Sequence, residues 1–371
     1  MIPASRNRGG EAHMSMDGSM TPRERILAVL NHQKSDRVPF DIWYTPEVRD
    51  QLMDYFHVNE EIELWRLLRI DKIVMLDAPY TDVSASRMDD QGRTLACNEW
   101  GSGIRTVRHG SGGSYEEVVT YPLAEARTID DIARHRWPDP DLFAYDVLNT
   151  QCMRHRNSVC MLTFISLFEI YCKLRPMDQS LMDLYVEPEF ADAIIERILS
   201  VHKEYIERAF AVCGDALDLV YLSDDMGMQD RQLIGTDVWE ARFAKPYQEL
   251  IDLVHAHDAK VFYHTDGAAF PIIERMVGMG VDVINPIQHS CPGMDREHLA
   301  SALQGRVVFH GAVDTQQVLP FGTATEVTAE VRRNIETLGG AGGYICAPCH
   351  NLQPGVPLEN ILALYAADRS W

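Results

Sequence analysis

Three side chains that could do chemistry stand at the ends of two short apolar runs. Val261-Phe-Tyr-His-Thr-Asp-Gly267 carries His264 and Asp266, and Gly343-Tyr-Ile-Cys-Ala-Pro-Cys-His-Asn351 carries His350. Imidazole and carboxylate groups can bind a metal ion or move a proton, and a β-type run that stops abruptly at such groups is the form of a strand emptying into an active site. A plainer role fits the same residues: the histidines hydrogen-bond to neighbours and Asp266 caps the helix after Gly267. Asp224 and Asp225 end the run from Leu217 to Leu222. Paired carboxylates there could supply a general acid, hold a metal, orient a histidine, or cap a helix. Cys346 and Cys349 form a Cys-X-X-Cys in apolar text, which is more often core packing than a ligand pair, and strand alternation points Cys346 away from the neighbours of His350.

The elements that position these groups follow from hydrophobic periodicity. Eight apolar runs rich in β-branched or aromatic residues are expected as strands: Val38 to Trp43, Lys72 to Leu76, Val159 to Ile165, Leu217 to Leu222, Lys260 to Tyr263, Val281 to Pro286, Val307 to Gly311 and Gly343 to Ala347. Most are followed by ten or more residues of helical periodicity. Parallel neighbours need helical crossovers and are buried on both faces, so eight strand–helix units predict an α/β fold, a (β/α)8 TIM barrel, ahead of a doubly wound open sheet. Polar residues at the carboxyl ends favour the barrel, where such ends converge on one mouth: Asp41 and Tyr44, Asp77, Glu169, Asp224 with Asp225, His264 with Asp266, Asp314 with Gln316, and Cys349 with His350. Glu169, Trp43, Tyr44, His310, Asp314 and Gln316 are expected to line the pocket, with Met226 and Met228 the methionines expected to touch a ligand. Residues 82–122 break the helical alternation with turn-rich text such as Asp90-Gln-Gly-Arg and Gly110-Ser-Gly-Gly-Ser, and predict a β-hairpin insertion over the mouth.

Composition bounds the function. With 371 residues, 46% hydrophobic and 24% charged, the chain can bury a large core, and no Pro/Ser-rich linker divides it. Residues 1–20 lack periodicity and are expected to be a disordered leader, with one domain over 21–371 opening at the capping-box text Thr21-Pro-Arg-Glu. A net charge of −21, spread through the chain, disfavours nucleic acid and anionic membranes as partners. Eight scattered cysteines and the lack of a secretory or membrane-length apolar segment lead to an expected cytoplasmic location. A homodimer is compatible with all of this.

The chain resembles the uroporphyrinogen decarboxylase superfamily, which also contains zinc-dependent, corrinoid-linked methyltransferases. The resemblance covers roughly residues 21 to 368. It is carried by Thr21-Pro-Arg-Glu-Arg-Ile-Leu-Ala-Val-Leu-Asn-His with Asp36-Arg-Val-Pro, by Gly311-Ala-Val-Asp-Thr315, and by Ala347-Pro-Cys-His-Asn-Leu-Gln-Pro-Gly-Val-Pro-Leu-Glu-Asn-Ile361. Porphyrinogen decarboxylases carry an early arginine-rich stretch that binds substrate carboxylates. Here that region reads Phe40-Asp-Ile-Trp-Tyr-Thr-Pro-Glu-Val48, without arginine before Arg49, so a multiply anionic tetrapyrrole lacks its guanidinium partners. The methyltransferase branch holds zinc through His-X-Cys and a later Cys. By resemblance those positions fall on His264, Asp266 and His350, and a His/Asp/His set remains sound for zinc with one position open. It is a harder set than one with two thiolates and suits polarising an ether oxygen. The resemblance therefore implies transfer of a methyl group from a methoxylated, mainly aromatic donor to cob(I)alamin. The chain has no Asp-X-His-X-X-Gly corrinoid motif, so the cobalamin would come on a separate corrinoid carrier protein. Asp225, Asp224, Glu169 and Asp77 are the candidate catalytic residues, Asp77 because the superfamily's decarboxylases place an aspartate near the substrate at that strand end. The alternative is a decarboxylase or related lyase of the same superfamily.

Overall fold

The computed structural model describes residues 20–82, 84–108 and 114–371. The expected leader, except Met20, and most of the Gly110 to Ser114 turn lie outside these residues. Among the described residues eleven strands are formed: β1 (Ile73–Leu76), β2 (Ser86–Met88), β3 (Thr94–Ala96), β4 (Gly103–Arg108), β5 (Ser114–Thr120), β6 (Val159–Ser166), β7 (Leu219–Ser223), β8 (Lys260–His264), β9 (Val283–Asn285), β10 (Val308–Val313) and β11 (Tyr344–Pro348). Seven build one curled parallel sheet in the order β1-β6-β7-β8-β9-β10-β11, with helices in the crossovers. Its strands are apolar almost throughout because both faces are covered.

Seven of the eight expected runs are strands of this sheet, and the first is not. The segment 38–44 makes only isolated bridges, Phe40 with Cys346 and Tyr44 with Leu352. It nevertheless reaches both edges of the sheet. On the β11 side Asp41 N donates to Cys346 O and Cys346 N donates to Pro39 O; on the β1 side Asp71 N donates to Phe40 O. Two features keep it irregular: Pro39 has no N–H for a ladder, and the Asp41 carboxylate accepts the Ile73 N–H that a backbone carbonyl would take. Its position is secured by the buried Asp71, whose carboxylate accepts from Arg37 at 2.7 Å, from Phe40 N at 3.0 Å and from Arg25. Arg25 lies on the first helix, Pro22–Leu30, which starts in the capping box read from Thr21 and Glu24.

The concave face of the sheet is filled by one small cluster that includes Ile73, Val159, Met161, Leu219, Tyr221, Phe262, Val283, Val308 and Ile345, closed from below by Ile26, Val29 and Leu30 of the first helix. The larger cluster packs the outer face against the crossover helices. Because strand side chains alternate, the interior residues Phe262, Val283 and Val308 are followed two positions later by His264, Asn285 and His310. Apolar filling thus gives way to polar groups one layer nearer the carboxyl ends.

Between β1 and β6, residues 86–120 form two antiparallel ladders, β2 with β3 and β4 with β5. Their neighbourhood packs laterally: Ser102 Oγ donates to Lys173 O at 2.6 Å, and Trp100 meets His202 edge-on at 5.4 Å. No helix among the described residues is long and apolar enough to cross a membrane.

Candidate metal centre

The end of β8 and the loop after β11 bring His264, Asp266 and His350 together. One donor atom from each lies within 4.8 Å of the others, the sole such group of three or more His, Cys, Asp or Glu among the described residues. His264 is buried, Asp266 is half-buried, and the His264 and His350 rings lie 6.2 Å apart. His264 Nδ1 is 2.6 Å from Asn285 Oδ1 on β9, its register neighbour. That bond occupies one ring nitrogen and leaves Nε2 facing the cluster, 3.7 Å from Asp225 Oδ1. Burial raises the pKa of Asp266; His264 opposes the shift, Asp225 adds to it, and His350 opposes it. Two imidazoles and a carboxylate converging in this way fit a borderline cation such as zinc.

Asp225 and Asp266 are held by a close meeting of two loops. Asp266 N donates to Asp225 Oδ1 at 3.0 Å, Met226 N to Thr265 Oγ1 at 2.9 Å and Ala268 N to Met228 O at 2.8 Å. The approach needs glycine on both sides. A Cβ on Gly227 would meet Asp266 O at 2.4 Å, and one on Gly267, whose φ is +82°, would meet the Gly227 carbonyl carbon at 2.6 Å.

The adjacent acid has another setting. The fully buried Asp224 carboxylate accepts from Ser166 Oγ at 2.6 Å and from the backbone amides of Leu167, Phe168 and Glu169 at 3.1, 2.8 and 2.7 Å. Tyr247 donates a further short bond. Asp224 therefore caps the helix Phe168–Leu174 from across the sheet, although burial and the Glu169 carboxylate push its pKa up to about 7. Glu169 accepts from Ser223 Oγ at 3.2 Å, and Asp77 is exposed in a cavity of about 150 Å³ that Phe164, Tyr80 and Glu99 also line.

The other sequence candidates divide between site and scaffold. Trp43 stacks on His264 at 5.9 Å and lies 5.6 Å from His310, and its indole N–H donates to Asp41 Oδ2 at 3.0 Å. His310 is wholly buried below the cluster. Tyr44 donates to Glu61 at 2.9 Å and accepts from Trp65, outside this ring system. Asp314 accepts from Gln316 N at 2.6 Å and Gln317 N at 3.1 Å, which makes it a turn former; the Gln316 side chain is exposed. Met226 is wholly buried in the outer core, whereas Met228 is 42% exposed. The Cys346 and Cys349 thiols are buried, and burial raises both, Cys346 to about 12.

Asn285 and Phe164 stand out only in the structure. A register shift in β6 between Leu162 and Ile165 turns Phe164 out of the packed wall, leaving it 64% exposed and edge-on to Tyr221 at 5.8 Å. Tyr221 is in turn 5.6 Å from His264. The parallel alternation Phe262/His264, Val283/Asn285 and Val308/His310 was the signal available for Asn285; Phe164 had none, because a bulge leaves no mark in an apolar run.

A curled parallel sheet with a three-donor cluster at its carboxyl ends defines a barrel-like α/β protein with a candidate metal centre. A model of the uroporphyrinogen decarboxylase (URO-D) family matches residues 116–371, and the chain belongs to that family. Uroporphyrinogen decarboxylase of Geotalea daltonii (strain DSM 22248 / JCM 15807 / FRC-32) is 24% identical over 181 residues, 48% of each chain, so the chain spans about half the length of that curated relative. The solved structure of a methyltransferase from Methanosarcina mazei superposes with a TM-score of 0.65 at 18% identity, covering 93% of this chain and 97% of that one. That likeness is one of fold.

Proposed function

We propose that this protein is a zinc-dependent methyltransferase that moves a methyl group from a methoxylated, mainly aromatic donor to the cob(I)alamin of a separate corrinoid protein. The observation that carries the reading is the convergence of His264, Asp266 and His350 at the carboxyl ends of the sheet. His264 through Nε2, an Asp266 carboxylate oxygen and a His350 ring nitrogen would hold the metal. When bound, zinc supplies Lewis acidity to the oxygen from which the methyl group departs. The chain's own residues would bind and orient the donor: Phe164 offers an exposed aromatic ring near the cluster, backed by the buried Tyr221, with Trp43 behind His264. Asp225, half-exposed with Oδ1 3.7 Å from His264 Nε2 and accepting from Asp266 N, would serve as the general acid for the departing oxygen.

The lyase alternative draws on the match to uroporphyrinogen decarboxylase and on the exposed Asp77 beside Phe164. Against a porphyrin substrate stands the absence of arginine from 40–48. The two readings separate in one spectroscopic experiment. With a reduced corrinoid protein and a methoxybenzene or methoxyphenol, the absorption of cob(I)alamin should convert to that of methylcob(III)alamin, and Asp225→Ala should slow the conversion by a factor on the order of 100. Carbon dioxide release from a pyrrolic or aromatic acid without corrinoid, and no methylation by any methoxy donor, would replace this assignment with the lyase.

A further inference from the structure

A buried polar chain runs from a charged end to the candidate metal centre. Lys72 Nζ lies 3.1 Å from Asp41 Oδ1, and the fully buried Asp41 carboxylate also accepts from Ile73 N at 3.2 Å and from Trp43 Nε1 at 3.0 Å. His310 Nε2 is 3.2 Å from the same carboxylate. The Lys72 charge and the other donors hold Asp41 below the ordinary carboxylate range despite its burial. An ionised carboxylate only accepts, so Nε2 of His310 is the ring nitrogen that carries hydrogen. His310 is itself wholly buried and burial lowers its pKa, so the ring is neutral and Nδ1 is bare.

That bare nitrogen fixes the next link. It lies 2.8 Å from the Asn285 side-chain amide, which must therefore present its NH2 group to His310. The amide oxygen is then turned to His264 Nδ1, 2.6 Å away. The opposite amide orientation would require hydrogen on both nitrogens of His310, a cation with no solvent around it. We infer that Asp41, His310 and Asn285 are positioning residues that set the tautomer of His264, with hydrogen on Nδ1 and the Nε2 lone pair offered to the metal centre. The direction of every bond is dictated from the Lys72–Asp41 end, about three side chains away from the cluster. This inference rests on the proposed metal site for its purpose, while the proton positions themselves do not depend on a metal being bound.

Long-range 1H–15N NMR on metal-free protein labelled at histidine nitrogen, assigned by single-histidine substitution, reads the tautomers directly. The expected result is His264 protonated at Nδ1 and His310 at Nε2; hydrogen on His264 Nε2, or on His310 Nδ1, overturns the inference. In Asp41→Asn the amide should turn its NH2 group toward His310 Nε2, because His310 is the one partner that can become an acceptor while Lys72 Nζ, Ile73 N and Trp43 Nε1 only donate, and both tautomers should then invert. Zinc affinity, read by titration against a competing chelator, should then fall on the order of 10–100-fold. A folded Asp41→Asn protein with unchanged tautomers and affinity contradicts the chain. Should that variant fail to fold, Asn285 provides the second comparison: Asn285→Leu, unable to accept from His264, should weaken zinc, and Asn285→Asp, which can accept, should restore it. Equal loss in both would reject the positioning role. Zinc that fails to bind the unaltered protein would count against the proposed function, and the tautomer measurement would still decide this inference.

Discussion

Two neighbouring carboxylates show how much a single residue's setting decides. Asp224 receives five hydrogen bonds at a helix start, whereas Asp225 is half-exposed beside His264. Their substitutions should therefore fail in different ways. Removing Asp224 orphans several buried donors, and Asp224→Ala should cost about 3–5 kcal/mol in urea unfolding; a loss below about 1 kcal/mol would show that the cap is dispensable. Phe164 gives a second contrast. Its ring is 64% exposed and packs only edge-on against Tyr221, so Phe164→Ala should leave stability and zinc content nearly intact while weakening an aromatic donor by about tenfold, roughly one aromatic contact. Calorimetric titration that finds equal affinity in both proteins would remove Phe164 from the donor site. In the sequence His264, Asp266 and His350 were legible because apolar strands stop at them. Asp224 and Asp225 were not separable, since strand alternation ends at Ser223 and the loop geometry beyond it depends on Gly227 meeting Gly267.

At the scale of elements, the parallel strands were readable as apolar runs and their crossovers as helical periodicity. The exception, 38–44, has the composition of a strand but is governed by Pro39, Asp41 and the ion pairs around Asp71. Such side-chain bonding over long sequence separations leaves no periodic trace. The long helix Pro188–Cys213 is tied to the end of β6 in the same manner, by His202 Nε2 and Ser166 O at 2.8 Å. Burial lowers the His202 pKa from its ordinary 6.5 to about 4. The folded value lies below the unfolded one, so the stability from keeping this ring neutral is fully present above pH 6.5 and is lost as pH falls toward 4. The loss amounts to about 3 kcal/mol at most. Urea unfolding of the wild type should lose that much more than His202→Gln between pH 7 and pH 4. Parallel stability profiles for the two proteins would contradict the assignment.

For the whole molecule, the curled sheet acts as a frame whose closed end is apolar and whose carboxyl end carries the candidate metal-binding side chains. The first helix plugs one side with Ile26, Val29 and Leu30, and the layer of His264, Asn285 and His310 lies two residues beyond the apolar Phe262, Val283 and Val308 along each of three strands. Family membership accounts for this frame over residues 116–371, while the function proposed depends on a ligand set that the frame alone does not specify. The claim on which the function turns is the metal centre, and elemental analysis of purified protein tests it most directly. The wild type should carry about one equivalent of zinc per chain, as expected for a single three-ligand catalytic site. His264→Ala and His350→Ala should each lose it while retaining the helical and sheet signals of the wild type. Zinc retained at one equivalent in both variants, or no divalent metal in the wild type after supplementation, would contradict the site.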